Sequence, residues 1–166
     1  MTIGYISIGS NINKDINVPS SLDNLRSLFG KLLISSIYES EAVGFIGDKF
    51  YNLIVQFESE LSAKEVAKKL RQIELDHGRN RDAAKFSPRT LDLDLILYGD
   101  QVISDGRLQI PRDEIERYAF VLEPLAEIAA EALHPVTHQA YGQLWQNFDK
   151  KEVKQAKVFP DWISGN

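Results

Sequence analysis

Apolar and polar residues alternate, or form short β-branched and aromatic runs, in four segments of the chain, a pattern that is typical of β-strands. The predicted strands are residues 3–8, 32–38, 50–58 and 91–98. Gly9-Ser10-Asn11 and Gly99-Asp100 follow the first and the last of them and predict turns. Residues 41–49 contain two glycines and are predicted to form a loop.

Two further segments carry apolar residues at helical spacing. Residues 19–29 begin with Pro19 and are followed by Gly30, with Ser20 or Ser21 available as a cap. In the second segment, Ser62 and Glu65 form a capping box, and Gly78 ends the helix. The resulting order is strand, helix, strand, strand, helix, strand, which is the ferredoxin-like βαββαβ pattern.

The C-terminal half extends this pattern. Short strands are predicted near residues 101–103 and 108–110, and helices near 121–132 and 141–148. Neither an internal repeat nor a Pro/Gly/Ser-rich linker divides the chain. We therefore expect one α+β domain over residues 1–166, a ferredoxin-like core with helices packed on its sheet and extra C-terminal strands and helices.

Composition narrows the function classes. The 166 residues carry a net charge of −5, which disfavours general binding to nucleic acid or to an anionic membrane. With no cysteine in the chain, disulfides, thiolate metal sites and cysteine nucleophiles are excluded. No apolar run approaches the ~20 residues of a membrane span, and the N-terminus does not resemble a signal peptide. These features predict a cytoplasmic protein.

Asp92 and Asp94 are the first indication of chemistry. In a strand their side chains point the same way, with Cα atoms about 6.5–7 Å apart, while Leu91, Leu93, Leu95 and Leu97 are expected on the opposite, buried face. Adjacent carboxylates repel each other, and Mg²⁺, which binds one or two carboxylates together with substrate phosphates, relieves the repulsion. The alternative is a solvated polar strand face.

Basic residues directly precede this aspartate pair. Arg79, Arg81, Lys85 and Arg89 could bind phosphate oxygens, the arginines through two donors each. The alternatives are a solvated loop, or arginines that neutralise the aspartates directly. The two features together favour phosphate chemistry over these alternatives.

The sequence does not support other common catalytic, nucleotide-binding or zinc-binding motifs. The chain has neither a G-x-x-x-x-G-K-[ST] loop nor a G-x-G-x-x-G motif, and no serine occupies a G-x-S-x-G elbow. His134 and His138 have the spacing of a helical zinc pair, but Pro135 disfavours the helix that would present both rings.

The chain resembles the 6-hydroxymethyl-7,8-dihydropterin pyrophosphokinases of folate biosynthesis. The most specific matching segments are Gly78-Arg79-x-Arg81 and Pro88-Arg89-Thr90-Leu91-Asp92-Leu93-Asp94. The similarity extends from Ile8-Gly9-Ser10-Asn11 to Phe120-Val121-Leu122-Glu123-Pro124-Leu125 and His134-Pro135.

The resemblance implies diphosphate transfer from ATP to the hydroxymethyl oxygen of the pterin, with release of AMP, by a monomer that binds small molecules. It implies that Asp92 and Asp94 hold two Mg²⁺ ions, and that Arg81 and Arg89 are catalytic. The implied nucleotide-binding residues are Arg71, Arg81, Lys85, Leu93, Leu95, Arg107 and Arg112. The implied pterin-binding residues are Ser40, Val43, Phe50, Asn52, Phe86 and Phe120.

Three departures from the family pattern keep alternatives open. Phe86-Ser87 stands where the family typically has Trp-Gly, Ser40-Glu41 where it has Thr-Pro, and Pro111-Arg112 where it has Pro-His. One alternative is therefore a divergent paralogue that keeps the Mg²⁺–ATP site but serves another pterin or lacks turnover. Another alternative is a non-catalytic ferredoxin-like module that binds a ligand.

Overall fold

An antiparallel sheet forms the centre of the computed structural model, which describes residues 1–41, 47–78 and 90–163. Within these ranges the strands are β1 (Thr2–Ser10), β2 (Leu33–Ile34), β3 (Ile37–Ser40), β4 (Phe50–Ser59), β5 (Asp92–Tyr98), β6 (Ile103–Asp105), β7 (Leu108–Ile110) and β8 (Gln155–Val158). The helices are α1 (Lys14–Phe29), α2 (Ala63–Asp76), α3 (Glu114–Arg117), α4 (Ala119–Ala129) and α5 (Tyr141–Gln146).

The order of strands in the sheet confirms the predicted ferredoxin-like core. The order is β5-β1-β4-β3-β8, with β2 pairing β4 beside β3, and every neighbouring pair is antiparallel. Strands β6 and β7 form a separate hairpin, and β8 adds an edge strand to the core. Of the C-terminal extension, strand β8 is therefore part of the central sheet.

Apolar side chains fill both faces of the sheet. On one face, Ile8 and Leu53 are fully buried against Leu25 of α1 and Val66 of α2. On the other face, Ile54 is buried in a second cluster with residues of α3, α4 and α5. Because each large aliphatic side chain contributes about 1.5–3 kcal/mol when buried, these two clusters hold the three layers together.

The predicted direction of the Leu97 side chain was wrong, because a β-bulge interrupts the pairing of β5 with β1. Tyr5 of β1 pairs with Leu97, whereas the next residue, Ile6, pairs with Leu95, so Ile96 is an extra residue in β5. Leu93 and Leu95 therefore face the α1–α2 cluster, while Ile96 and Leu97 both pack in the α3–α5 cluster. The predicted alternation holds only up to the bulge.

The predicted start of α1 and the predicted strand 32–38 were also wrong in part. Helix α1 begins at Lys14 and contains Pro19, because the buried Val18 packs in the core ahead of the proline. The predicted strand 32–38 is two strands separated at Ser35 and Ser36. The Ser35 hydroxyl accepts from Ile54 N (2.9 Å), a side-chain bond in place of a backbone ladder bond.

The predicted C-terminal elements were correct in type, and the strand near residues 108–110 also lies where it was predicted, whereas two others are shifted. The strand predicted near residues 101–103 is Ile103–Asp105, and the helix predicted over 121–132 is Ala119–Ala129. Helix α3 and strand β8 had not been predicted. Across the described part of the chain, no helix has the length and apolar character needed to cross a membrane.

Candidate active site

Asp92 and Asp94 lie at the start of β5 on the sheet face opposite the α1–α2 cluster. Asp92 pairs with Gly9 and Asp94 with Ser7 of β1, and Leu93 between them is buried in the core. Both aspartates are half-buried, so their carboxylates are only partly withdrawn from solvent. The predicted alternation of aspartate and leucine is present here, before the bulge.

A cavity of about 210 Å³ opens beside these aspartates, at the outer edge of β5. Helix α2, the hairpin strand β7 and the segment that follows β7 form its walls. The cavity is lined by Ala67, Leu70, Arg71, Glu74, Leu75, Leu93, Asp94, Leu95, Arg107, Leu108, Gln109 and Arg112. It brings together the predicted nucleotide residues Arg71, Leu93, Leu95, Arg107 and Arg112 with one aspartate of the pair.

Arg112 is held in place from both its backbone and its side chain. Its backbone N–H donates to Ile96 O of the edge strand (3.1 Å). Its Nε and Nη2 atoms donate to Glu114 Oε2 at 3.0 and 2.7 Å. Burial alone would lower the pKa of Arg112, but the Glu114 hydrogen bonds and the negative charge of Asp94 outweigh it and raise the pKa.

Glu114 shares this environment with Asp94. Burial raises the pKa of the Glu114 carboxyl, with further contributions from the Asp113 hydrogen bond and the charge of Asp94, against the opposing effect of Arg112. The site thus carries a partly buried guanidinium between carboxylates. Such a cation is suited to the binding of a polyphosphate when the cavity is filled.

Glu74 is a residue of this cavity that sequence reasoning missed. It is only 8% exposed, and its Oε2 accepts a hydrogen bond from Leu93 N (2.8 Å), which covers the edge of β5. The signal was present in the sequence, because Glu74 follows Leu70 and Ile73 on the apolar stripe of α2. A carboxylate on a buried helix stripe requires a partner, here the strand edge.

The predicted pterin residues that the structure describes lie on the same sheet face as the aspartates. Asn52 is 5% exposed, and its Nδ2 donates to Ser40 Oγ at 2.7 Å across β3 and β4. Gly9 pairs with Asn52, and a Cβ on Gly9 would lie 3.3 Å from Asn52 Oδ1 and 3.9 Å from a Phe50 ring carbon. The absent side chain keeps the space beside Asn52 and Phe50 open.

Phe120, in the first turn of α4, already has an aromatic neighbour. Its ring stacks on that of Tyr118, with centroids 5.0 Å apart and planes at 21°. One face of Phe120 is therefore covered by Tyr118, and the residue also packs against the α3–α5 cluster.

Several predicted site residues lie outside the described residues. They are Val43, Arg81, Lys85, Phe86 and Arg89. Among residues 1–41, 47–78 and 90–163, no group of three or more His, Asp or Glu side chains could hold a metal. The described donor set is the pair Asp92 and Asp94, which suits Mg²⁺ because this ion takes one or two carboxylates and completes its shell with phosphate oxygens and water.

Comparison with known proteins identifies the family. Residues 5–130 match the model of the 7,8-dihydro-6-hydroxymethylpterin-pyrophosphokinase (HPPK) family. A Haemophilus influenzae 2-amino-4-hydroxy-6-hydroxymethyldihydropteridine pyrophosphokinase is 35% identical over 159 residues, which cover 93% of this chain and 98% of that protein. The Aquifex aeolicus protein of the same name is 31% identical over 138 residues, covering 82% and 86%.

Solved structures show the same fold. The wild-type Plasmodium falciparum HPPK-DHPS matches with a TM-score of 0.74 at 12% identity, over 96% of this chain and 48% of that one. The present chain thus spans about half of that fused protein. With a family model that matches residues 5–130 and relatives above 30% identity over most of the chain, the protein belongs to the 7,8-dihydro-6-hydroxymethylpterin-pyrophosphokinase family.

Proposed function

We propose that this chain transfers the terminal diphosphate of ATP to the hydroxymethyl group of 6-hydroxymethyl-7,8-dihydropterin, forming AMP and the pterin diphosphate for folate biosynthesis. The observation that carries the proposal is the cavity at the edge of β5, where Arg71, Arg107 and Arg112 share one space with Asp94. Guanidinium groups next to a carboxylate are suited to a triphosphate that is bound together with magnesium.

The two kinds of cavity wall suggest how ATP is held. Leu75, Leu93 and Leu95 offer an apolar surface for a flat base, and Arg107 and Arg112 offer donors for phosphate oxygens. Arg81 and Lys85 are proposed to join them at the phosphates, on the strength of the family motif. Arg81 and Arg89 would neutralise the charge that develops on the transferred group.

Asp92 and Asp94 are the residues proposed to hold two Mg²⁺ ions. When bound, the ions supply positive charge at the attacking and leaving oxygens of an in-line displacement at phosphorus. The aspartates are suited to this role because both project from one rigid strand and are half-buried. A rigid strand holds such ligands more accurately than a loop would.

The acceptor is proposed to bind where Ser40 and Asn52 meet, with Phe50 or Phe86 and Phe120 against its ring and Val43 at its edge. The hydroxymethyl oxygen then forms a bond to the β-phosphorus of ATP. The bond from that phosphorus to the oxygen shared with the α-phosphate breaks, and AMP leaves with this oxygen. The hydroxyl proton passes to solvent, and positioning with charge stabilisation accounts for most of the catalysis.

Arg112 favours a second candidate, a paralogue that binds Mg²⁺–ATP without turnover on this pterin. Its guanidinium is already engaged by Glu114, at the position where the family typically has histidine. This candidate shares the nucleotide site with the first and differs from it only in the product. The single domain, the monomeric state and the cytoplasmic location remain predictions from the sequence.

One assay separates the candidates. The chain is incubated with ATP, MgCl₂ and 6-hydroxymethyl-7,8-dihydropterin, and AMP, ADP and pterin diphosphate are quantified by chromatography. We expect AMP and pterin diphosphate in equal amounts, with no pterin-dependent ADP. Nucleotide binding without AMP would favour the paralogue, and the absence of nucleotide binding would contradict both candidates.

A further inference from the structure

Strand β8 lies at the edge of the sheet nearest the proposed acceptor pocket. It pairs with β3, so that Ser40 lies opposite Gln155 and Tyr38 opposite Lys157. Cross-strand partners project from the same face. Gln155 and Lys157 therefore project toward α4, from the face that carries Ser40 and Asn52.

The Gln155 side chain connects this strand to the beginning of α4. Its Nε2 donates to Ala119 O at 3.1 Å and to Glu123 Oε1 at 2.8 Å. Ala119 immediately precedes Phe120 in the first turn of the helix. One amide group thus uses both of its N–H donors on α4, one on the turn that carries the proposed stacking ring and one on Glu123, a turn later.

The other end of this connection is the polar edge of the pocket. Ser40 is held to β8 by its pairing with Gln155, and Ser40 Oγ accepts from Asn52 Nδ2 at 2.7 Å. The contacts run from Asn52 through Ser40 and Gln155 to the turn that holds Phe120. Gln155 therefore connects both proposed walls of the acceptor pocket, through its backbone pairing on one side and its side chain on the other.

Lys157 makes a second link between β8 and α4, one helical turn further along. Its Nζ lies 3.5 Å from Glu127 Oε2, and Glu127 also accepts from Ser36 N at 2.9 Å and from the Tyr38 hydroxyl at 3.3 Å. These contacts fix β8 and β3 on the helix without involving Ala119 or Phe120. Lys157 therefore serves as a matched comparison for Gln155.

We propose that Gln155 is a positioning residue for the acceptor, which sets the spacing between Phe120 and the Ser40–Asn52 pair and so determines affinity for the pterin. The inference rests on the proposed function. Gln155 acts through its neighbours, because its amide is engaged by the helix. Loss of the amide removes both of these hydrogen bonds between β8 and α4. A small displacement of a binding group weakens binding substantially.

The test compares Gln155→Met with wild type by calorimetric titration of pterin in the presence of Mg²⁺ and a non-hydrolysable ATP analogue, and by steady-state kinetics. Methionine keeps the length of the side chain and removes the donors. We expect the Kd and KM for pterin to rise about tenfold, as the loss of a hydrogen bond to a charged group suggests. The KM for ATP should stay within about twofold, with kcat changed far less than the KM for pterin.

Two further variants make the result specific. Gln155→Lys restores a donor to Ala119 O and Glu123, and we expect affinity within about threefold of wild type. Lys157→Met removes the other link and should lower stability without raising the Kd for pterin. Should Gln155→Met fail to fold, Gln155→Asn, whose shorter amide cannot reach both acceptors, replaces it in the same comparison.

The outcomes separate this inference from the proposed function. Wild-type protein that neither binds pterin nor forms AMP would refute the proposed function. Active wild type together with unchanged pterin affinity in Gln155→Met would overturn only the positioning role. An equal rise in Kd for Gln155→Met and Lys157→Met would also overturn it, because general docking of β8 would then explain both.

Discussion

Asn52 and Asp92 lie on different strands, yet both pair with the same residue, Gly9 of β1. All three positions are on one face of the sheet, and the two outer strands are about 9–10 Å apart. The proposed acceptor residue and the proposed metal ligand are therefore separated by one glycine and held by backbone ladders on both sides. The sheet itself sets the distance over which the hydroxymethyl group would meet the phosphates.

Gly9→Ala should weaken acceptor binding while the fold is retained. Its new Cβ would lie 3.3 Å from Asn52 Oδ1, which displaces the amide that bonds Ser40. We expect the KM for pterin to rise about five- to tenfold in steady-state kinetics, a loss of roughly 1 kcal/mol. Unchanged KM would contradict the placement of the acceptor beside Gly9.

A matched glycine provides the control. A Cβ on Gly4 of the same strand would lie 2.5 Å from a Phe57 ring carbon in the core, far from the proposed pocket. Gly4→Ala should lower the free energy of unfolding by about 1–3 kcal/mol, as overpacked cores do, with the KM for pterin unchanged in the folded fraction.

Asp92→Asn and Asp94→Asn should each abolish most activity. The amide keeps the shape of the side chain but removes the negative charge that a magnesium ion requires. We expect AMP formation to fall by about 10³-fold or more, since the bound cations would neutralise much of the phosphate charge. Asp100→Asn, an exposed aspartate in the turn after β5, should retain wild-type turnover.

Near-ultraviolet circular dichroism of the aspartate variants checks that folding is intact, which is expected because both side chains are only half-buried. Full activity in either folded variant would contradict a role for that aspartate in holding magnesium.

The cavity arginines should control nucleotide affinity. Arg107→Ala and Arg112→Ala each remove a cation from the cavity wall, and we expect the Kd of a non-hydrolysable ATP analogue to rise about tenfold or more by calorimetry. Arg117→Ala is the control, because Arg117 is exposed and pairs with Asp113 on the surface. Equal effects of all three substitutions would show that only general charge, and not this cavity, binds the nucleotide.

Stability should fall as the pH falls through the titration range of histidine. His134 is 4% exposed, and burial lowers its pKa despite the opposing charge of Glu116. Its Nδ1 accepts from Val136 N and Thr137 N at 3.1 and 3.2 Å, so the neutral ring is the form that fits. Unfolded His134 takes up a proton near pH 6.5, before the folded form does, and protonation thus favours unfolding below that pH.

Urea unfolding at pH 7.5 and 5.5 measures this effect. Wild type should lose stability between the two values, and His134→Asn, whose Oδ1 can accept the same bonds, should lose less. His138→Asn, at an exposed position whose charge makes only the smallest contribution to the lowered pKa of His134, should stay close to wild type. The same pH dependence in His134→Asn as in wild type would contradict a role for His134.

Local sequence patterns predicted the core of the fold but not its long-range exceptions. The alternation of Asp92, Leu93 and Asp94 is a local property of a strand, so it could be predicted. The bulge at Ile96 depends on how β5 pairs with β1, and strand β8 forms because β3 offers an edge. Residues Gln155–Val158 do alternate polar and apolar side chains, but four residues with one small alanine among them are too short a signal to predict a strand.

The residues of the candidate site likewise fall into those that local sequence patterns indicate and those that only the fold brings together. The aspartate pair and the basic residues before it could be found from spacing and charge alone. The cavity arginines Arg71, Arg107 and Arg112 were assigned through resemblance, because they are far apart in the sequence and only the fold brings them to one cavity. Glu114 and Gln155 were missed, since their roles depend on hydrogen bonds between elements.

The decisive measurement is a crystal structure with Mn²⁺, a non-hydrolysable ATP analogue and the pterin. We expect anomalous peaks at metal-binding distance from the carboxylates of Asp92 and Asp94, phosphates on Arg107 and Arg112, and the pterin against Asn52. Asp92 and Asp94 facing solvent without a metal, or the triphosphate bound away from the β5 edge, would contradict this placement of the metal and the nucleotide.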